Sequence, residues 1–178
     1  MGVGLGADHQ EFAQAGADLY GIDITHKAME HTQRRLTLFN LHSNLSVGDA
    51  EALDFVDEQF DLVYSWGVLH HSPNTTKAFS EVFRTLKKGG VAKIMIYHKW
   101  SLIGYMLWVR FALLRFKPWL SLSKVYSQYL ESPGTKAYSK KEVQKLFSDF
   151  EDVIITTNLT HADLLQSNIG QRHKKGLL

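Results

Sequence analysis

Cysteine is absent from the 178 residues, and this absence excludes whole classes of structure. No disulfide framework and no thiolate metal site can form, and the redox compartment stays undetermined. The nine histidines show no H-x-x-x-H spacing, so we predict no metal site. The first twenty residues hold no basic stretch followed by an apolar block, so we predict no secretory signal.

Net charge is also small. The formal charge of +2 does not indicate a nucleic-acid partner, and we interpret Lys140-Lys141 and Lys174-Lys175 as solvated surface. The apolar fraction of 44% and the charged fraction of 21% are typical of one globular domain with a sizeable core. With no internal repeat, low-complexity linker or targeting signal, we expect a cytoplasmic protein.

Short apolar runs alternate with helical patterns through the first half of the chain. The predicted strands are residues 17–23, 45–47, 60–66 and 91–97. The predicted helices are residues 8–15, one that Thr25 caps, and one that begins at Ser72-Pro73 and ends at Gly89-Gly90. Strands joined by helices favour an α/β fold, with a doubly wound, mostly parallel, Rossmann-like sheet.

The alternation stops after Tyr97. Residues 100–119 are dense in aromatic and aliphatic side chains. Ser139 and Glu142 form the S-x-x-E pattern of a capping box, which predicts a helix start. Residues 152–159 are a predicted last strand, and residues 166–178 a polar tail.

The chain opens with "MGVGLGADHQEF", a turn with glycine at every second position. Such a turn lets a ligand approach the backbone, and the helix that follows offers unpaired N–H groups to a negative group. Asp23 ends the next predicted strand, 19 residues after Gly4, where an acid accepts hydrogen bonds from ribose hydroxyls. Gly2-x-Gly4-x-x-Ala7 also fits the dinucleotide pattern, so a nicotinamide-dependent oxidoreductase is a second hypothesis.

Two later stretches add to this pattern. "GDAEAL" places Asp49 after the third strand, and "FDLVYSWGVLHHSPN" places a polar, aromatic loop after the fourth. With these motifs, residues 2–97 resemble the class I S-adenosylmethionine-dependent methyltransferases. The resemblance is strongest to the small-molecule group related to quinone-biosynthesis C-methyltransferases.

The resemblance implies a role for each matching position. The glycine loop beside the methionine part of the cofactor would be Gly2, Gly4 and Gly6. Asp23 would bind the ribose and Ile24 would pack on the adenine, whose edge would meet Asp49 and Ala50. The segment bordering the methyl group would comprise Ser65, Trp66 and Val68.

The chain departs from the family pattern at its start. In the family, the glycine loop follows a central strand that ends in an acidic residue, and no such strand precedes Gly2. We therefore expect an N-terminally truncated domain, with unpaired groups that cost about 1–3 kcal/mol each where buried. The expected domain is residues 1–165: a cofactor-binding half (1–98), a helical cap insertion (99–135), and a terminal helix and strand (136–165).

The implied reaction is methyl transfer to a small molecule, with a lipophilic acceptor as one hypothesis. His70 and His71 are the candidate general bases, with a structural role as the alternative. Trp66 or Tyr97 is a candidate cation–π partner of the sulfonium; plain core is the alternative. Asp23 and Asp49 have alternatives too, as a helix cap and a turn residue. A non-catalytic remnant is a third hypothesis for the whole chain.

The aromatic insertion has three interpretations. We prefer a cap over the substrate. In the second, an interfacial helix buries Trp108, Phe111 and Leu114 in lipid while its basic residues face headgroups. The third is a core helix. A membrane span is not predicted, because cations interrupt the apolar run. The oligomeric state is not predicted.

Overall fold

The computed structural model describes residues 1–159. The chain forms two compact units, Met1–Ile96 and Tyr97–Leu178. The predicted tail, 166–178, and the end of the predicted terminal segment lie outside the described residues.

The first unit alternates helices with parallel strands. Its elements are α1 (Ala7–Gln14), β1 (Tyr20–Asp23), α2 (His26–Leu38), β2 (Asn44–Val47), β3 (Phe60–Trp66), α3 (Thr75–Thr85) and β4 (Leu86–Met95). β1 pairs in parallel with β2, and β3 pairs in parallel with β4. The predicted α/β class with a parallel sheet is confirmed.

The two strand pairs are not hydrogen-bonded to each other within residues 1–159. The first three residues lie between them. The Gly2 and Val3 N–H groups donate to the Ile22 oxygen of β1 at 2.8 and 3.2 Å. The Met1 amine donates to the Tyr64 oxygen of β3 at 2.7 Å. The glycine loop is thus anchored to both pairs, while the absent first strand stays a prediction.

Helix α3 is shorter than predicted at both ends. Asn74, rather than Ser72-Pro73, is the N-cap, and its side chain accepts from the Lys77 N–H. The helix ends at Thr85, four residues before the predicted glycine stop, because the chain from Leu86 onward already pairs with β3. The side chains of Ala78, Phe79 and Val82 form the buried apolar stripe of the helix, while Phe83 is 44% exposed.

Three helices form the described part of the second unit: α4 (Leu102–Phe111), α5 (Leu122–Tyr129) and α6 (Lys140–Leu146). Helices α4 and α5 form a hairpin whose core is Leu107, Ala112 and Val125. The predicted capping box at α6 is confirmed, with both the Ser139 and the Glu142 hydrogen bonds present.

The strand predicted at residues 152–159 is wrong, because those residues adopt no regular structure. Ile154 is 87% exposed there. β-branched residues favour a strand only when a neighbouring strand satisfies the backbone and packs the side chains. No strand of residues 1–159 pairs with this segment.

Candidate functional site

The three glycines of the opening loop all have left-handed backbone angles, with φ of 67°, 55° and 74°. A Cβ on Gly2 would lie 2.2 Å from Val68 Cγ2, and one on Gly6 would lie 2.8 Å from Thr32 Oγ1. A Cβ on Gly4 would meet no atom within 4 Å. Gly2 and Gly6 therefore permit close packing, while Gly4 exposes its backbone to open space that a ligand can enter.

Asp23 binds this loop directly. Its Oδ2 accepts from the Gly4 N–H at 3.1 Å, and its Oδ1 accepts from the N–H and the hydroxyl of Thr25 at 3.0 Å each. The cap of α2 is Thr25, which accepts from the Ala28 N–H. Asp23 therefore both orders the start of α2 and joins the glycine loop to the end of β1.

Asp49 lies beside the end of β1, because the Gly48 N–H donates to the Asp23 oxygen at 2.9 Å. The Asp49 side chain is exposed, and its Oδ1 accepts from the Glu51 N–H at 2.9 Å. This contact is an aspartate turn, one of the two interpretations of the residue. Ala50 is half-buried at the same turn, and Ile24 is 71% exposed just after Asp23.

The residues at the end of β3 and just after it differ in exposure. Ser65 is fully buried, and its hydroxyl has no partner within residues 1–159. Trp66 is 48% exposed, and Val68 packs against Gly2. Successive residues of a strand point to opposite faces, so the Ser65 side chain faces the interior while Trp66 stays accessible.

The Trp66 ring packs against a cluster of two other aromatic rings, Tyr64 and Phe12. The Trp66 and Tyr64 rings stack with centroids 6.0 Å apart, and Phe12 of α1 meets Tyr64 edge-on at 5.0 Å. The Tyr64 hydroxyl donates to Asp8 Oδ2 at 2.9 Å. Burial, then the Asp8 hydrogen bond and charge, raise the pKa of Tyr64 to about 12. Tyr97 lies in the second unit, where its hydroxyl donates to Glu131.

The two histidines differ in environment. They lie in a 3-10 turn, Leu69–His71, with ring centroids 4.2 Å apart. His70 is fully buried, and burial, followed by the charge of His71, lowers its pKa to about 3. His71 is half-buried. An enclosed imidazole of low proton affinity is poorly suited to general-base catalysis, so His71 is the better placed of the pair.

Two residues of the site were missed by sequence reasoning. Thr32 donates its hydroxyl to the Gly4 oxygen at 3.2 Å. Glu51 accepts from the Ser72 hydroxyl and from the Asn74 N–H, which joins the turn after β2 to the start of α3. A signal for Thr32 existed, since it lies in the buried stripe of α2 between Ala28 and Leu36. A polar residue in such a stripe needs a partner.

Two shallow concavities of the surface lie away from these residues. One shallow cleft of about 500 Å³ runs along β2 and includes Tyr20 and Phe55. A second, of about 380 Å³, lies beside Leu5 and Arg35. An open groove at strand ends is not an enclosed cavity, so converging backbone donors and carboxylates identify the site better than volume does. Within residues 1–159, no cluster of three histidine or acidic side chains is placed to hold a metal.

Comparison with known proteins assigns the first unit to a family. The family model described as a methyltransferase domain matches residues 1–94. Phosphoethanolamine N-methyltransferase 2 of Caenorhabditis elegans is 32% identical over 106 residues, which are 56% of this chain and 23% of that protein. Sterol 24-C-methyltransferase ERG6A of Gibberella zeae is 32% identical over 94 residues, 51% of this chain and 25% of that protein.

Solved structures share the fold. The YcgJ protein of Bacillus subtilis has a TM-score of 0.62 and 21% identity, covering 83% of this chain and 58% of its own. A SAM-dependent methyltransferase from Aquifex aeolicus has a TM-score of 0.58 and 14% identity, and the match covers 83% of this chain and 67% of that chain. The chain spans about a quarter of the curated relatives' length, and the quinone-biosynthesis subgroup stays a prediction. Because the family match covers more than half of the chain and contains the glycine loop, Asp23 and Asp49, this chain belongs to the class I S-adenosylmethionine-dependent methyltransferases.

Proposed function

We propose that this chain carries out methyl transfer from S-adenosylmethionine to a small-molecule acceptor. One observation carries the proposal: the glycine loop bonds to Asp23 and packs on Val68, so three predicted parts of the site meet at the strand ends. Ligands of open parallel sheets bind at this edge.

The residues present fit the cofactor. Gly4 faces open space, and the exposed apolar side chain of Ile24 follows the acid that would hold the ribose. An ionised carboxylate has about four acceptor positions, and Asp23 uses three of them within the chain, which leaves about one, on Oδ2, for a ribose hydroxyl. The sulfonium supplies an activated methyl group, so this chain's residues need only bind, orient and exclude water.

The names of the relatives guide the choice of acceptor. One methylates phosphoethanolamine and the other a sterol, as their names state. Both are methyltransferases, which favours methyl transfer over the hydride transfer that the Gly2-x-Gly4-x-x-Ala7 pattern also permits. The phosphoethanolamine relative indicates a small polar acceptor and the sterol relative a lipophilic one; of the two we propose a small acceptor with a lipophilic part.

Proton removal from the acceptor falls to His71 in this proposal. The imidazole is half-buried after β3, on the turn that follows Trp66. His70, packed against it, would hold the turn in place. Exchanging His71 for glutamine should lower turnover about 10²–10⁴-fold if a base is needed, with little change in cofactor affinity.

Calorimetric titration of S-adenosylhomocysteine tests the cofactor site. Asp23→Asn replaces one acceptor oxygen with an amide donor and removes the charge that the ribose hydroxyls would meet. Since hydrogen bonds to a charged group contribute about 1.5–3 kcal/mol, affinity should fall about tenfold to a hundredfold. Asp18→Asn, at an exposed acid five residues earlier, is the matched control and should bind like the unaltered chain.

Two results would contradict the proposal: equal affinity of the Asp23→Asn and unaltered chains, or tight binding of NADH in place of S-adenosylhomocysteine. Binding without transfer of labelled methyl to phosphoethanolamine or a sterol would leave the cofactor site intact and reject those acceptors. Circular dichroism of each variant separates lost binding from lost folding.

A further inference from the structure

The turn between α4 and α5 carries seven consecutive exposed residues, "LLRFKPW" (113–119), here named the apolar tip. Four of them are large and apolar. Their exposed fractions are 47% for Leu113, 69% for Leu114, 87% for Phe116 and 76% for Trp119. A run of exposed apolar side chains marks an interaction surface, whereas single ones need no explanation.

The apolar tip is held in one conformation by its backbone. The Lys117 N–H donates to the Ala112 oxygen at 2.8 Å, and the Phe116 N–H donates to the Leu113 oxygen at 3.0 Å. Trp108 Nε1 donates to the Leu120 oxygen at 2.7 Å, which ties the far end of the turn to α4. The outward side chains are therefore presented by an ordered turn.

Phe116 is the least expected residue of the turn. Its φ of 56° lies in the left-handed region, which bulky residues rarely adopt. Glycine would occupy this position without strain. With 87% of the side chain exposed, burial does not compensate for the strain. The left-handed angle itself belongs to the C-cap of the turn, but a cap of this kind favours glycine, so the cap does not explain why the residue is phenylalanine.

The charge around the apolar tip has one sign. Residues 97–130 contain no aspartate or glutamate, although the whole chain is almost neutral. The same stretch contains five cations, Lys99, Arg110, Arg115, Lys117 and Lys124, of which Lys99 is paired with Glu142 at 3.5 Å. The surface is therefore complementary to a negatively charged partner with an apolar interior.

We propose that the apolar tip docks on an anionic phospholipid bilayer. Phe116 and Trp119 enter the boundary between headgroups and acyl chains, while Arg110 and Lys117 contact the headgroups. A seven-residue turn is too small for a stable protein interface, which takes about 20–30 residues a side. A bilayer deforms around a small protrusion. No helix within residues 1–159 is long and apolar enough to cross a membrane.

The docking surface differs from the one the sequence indicates. Trp108 and Phe111, two of the three residues expected in lipid, pack against the hairpin core instead. The Phe111 ring also stacks on Tyr129 with centroids 4.1 Å apart. Of that group only Leu114 is largely exposed. The turn, rather than the helix face, is therefore the lipid-contacting element.

Vesicle flotation of the 178-residue chain tests the proposal. The chain should float with vesicles of phosphatidylcholine and phosphatidylserine, and much less with phosphatidylcholine alone. Phe116→Gly and Trp119→Ser should each lower the partition coefficient about tenfold or more. Phe116→Gly should also leave the melting temperature equal or higher, because glycine relieves the strain at φ 56°. Ile154→Ser, an equally exposed apolar site, is the matched control.

The cations supply a second measurement. Arg110→Gln and Lys117→Gln should each weaken binding to the anionic vesicles about fivefold, and added salt should do the same. Equal flotation of Phe116→Gly and the unaltered chain would overturn the proposal, as would equal flotation with neutral and anionic vesicles. A vesicle-free dimer that Phe116→Gly abolishes would assign the surface to a second copy instead. Flotation needs no cofactor, so its result is independent of S-adenosylhomocysteine binding.

Discussion

The two units differ in how many polar side chains they bury, although both expose large apolar side chains. Within residues 1–159, seven of the eight buried polar residues belong to the first unit: His9, Gln10, Thr32, Ser65, His70, Thr75 and Thr85. The second unit has only Thr135 in its described part, and it exposes the apolar tip. The family match ends at residue 94, close to the boundary at Ile96. The part of the chain that matches the family is thus also the part that buries most of the polar side chains.

A physical reason underlies this difference. A binding loop at strand ends has backbone groups that no ladder satisfies, so interior side chains such as Thr32 must bond them. A helical hairpin satisfies its own backbone, and its core needs only a few apolar contacts. The hairpin surface is then free to vary. Whether residues 99–135 cap the substrate stays a prediction.

The largest effect is expected from Gly104→Ala in the second unit. A Cβ there would lie 1.9 Å from the hydroxyl of Tyr126, which is buried and donates to the Lys99 oxygen. Overpacking costs about 1–3 kcal/mol, and the disturbed hydroxyl about 1–3 kcal/mol more. Hydrogen exchange should show faster opening of α4 and α5. Adding Tyr126→Phe removes that hydroxyl and should restore part of the lost stability. If the free-energy losses of the two substitutions simply add, the added methyl group and the Tyr126 hydroxyl do not clash.

An intermediate effect is expected from Gly2→Ala in the first unit. Gly2 and Gly16 both have positive φ, but only Gly2 faces atoms, with Val68 Cγ2 at 2.2 Å. Gly16→Ala should lower the free energy of unfolding by about 1 kcal/mol through strain alone. Gly2→Ala should lower it by about 1–3 kcal/mol more. Urea unfolding of both variants measures the difference, and equal losses would show that Val68 yields to the methyl group.

The smallest effect is expected from acid, which should destabilise the first unit more than the second. The pKa values of His9 and His70 are lowered by burial, that of His70 to about 3. Below pH 6.5 these histidines are protonated in the unfolded state but stay neutral in the folded state, because their folded pKa values are lower. Stability should therefore fall by about 1.4 kcal/mol per pH unit for His70, or about 2 kcal/mol from pH 6 to 4.5.

In the second unit the hydrogen bonds from Ser139 lower the pKa of Glu142. That contribution is present above the unfolded pKa, near 4.5, and is lost only at lower pH. Hydrogen exchange at pH 6 and 4.5 should therefore show faster opening of β3 but not of α6. An equal increase in the exchange rates of β3 and α6 would contradict the assignment of the acid sensitivity to the buried histidines of the first unit.

Local patterns predicted the elements well where neighbours agreed with them. Strand β3 has the predicted bounds, 60–66, and the capping box at Ser139 is present. The strand at 152–159 failed because a strand needs a partner that periodicity cannot supply. Glu51 was missed because its partners, Ser72 and Asn74, are more than twenty residues away. Nothing in the spacing of these residues indicates that contact.

The amino-acid sequence by itself determined the alternating strands and helices, the glycine loop, and the acids that end or follow the strands. These features depend on short-range periodicity and backbone preference, which are properties of adjacent residues. Only the tertiary structure decided that Gly4 meets Asp23, that His70 is enclosed while His71 is not, and that Phe116 rather than Phe111 faces outward. Burial and contact between distant residues depend on how the elements pack, and local patterns do not specify that packing.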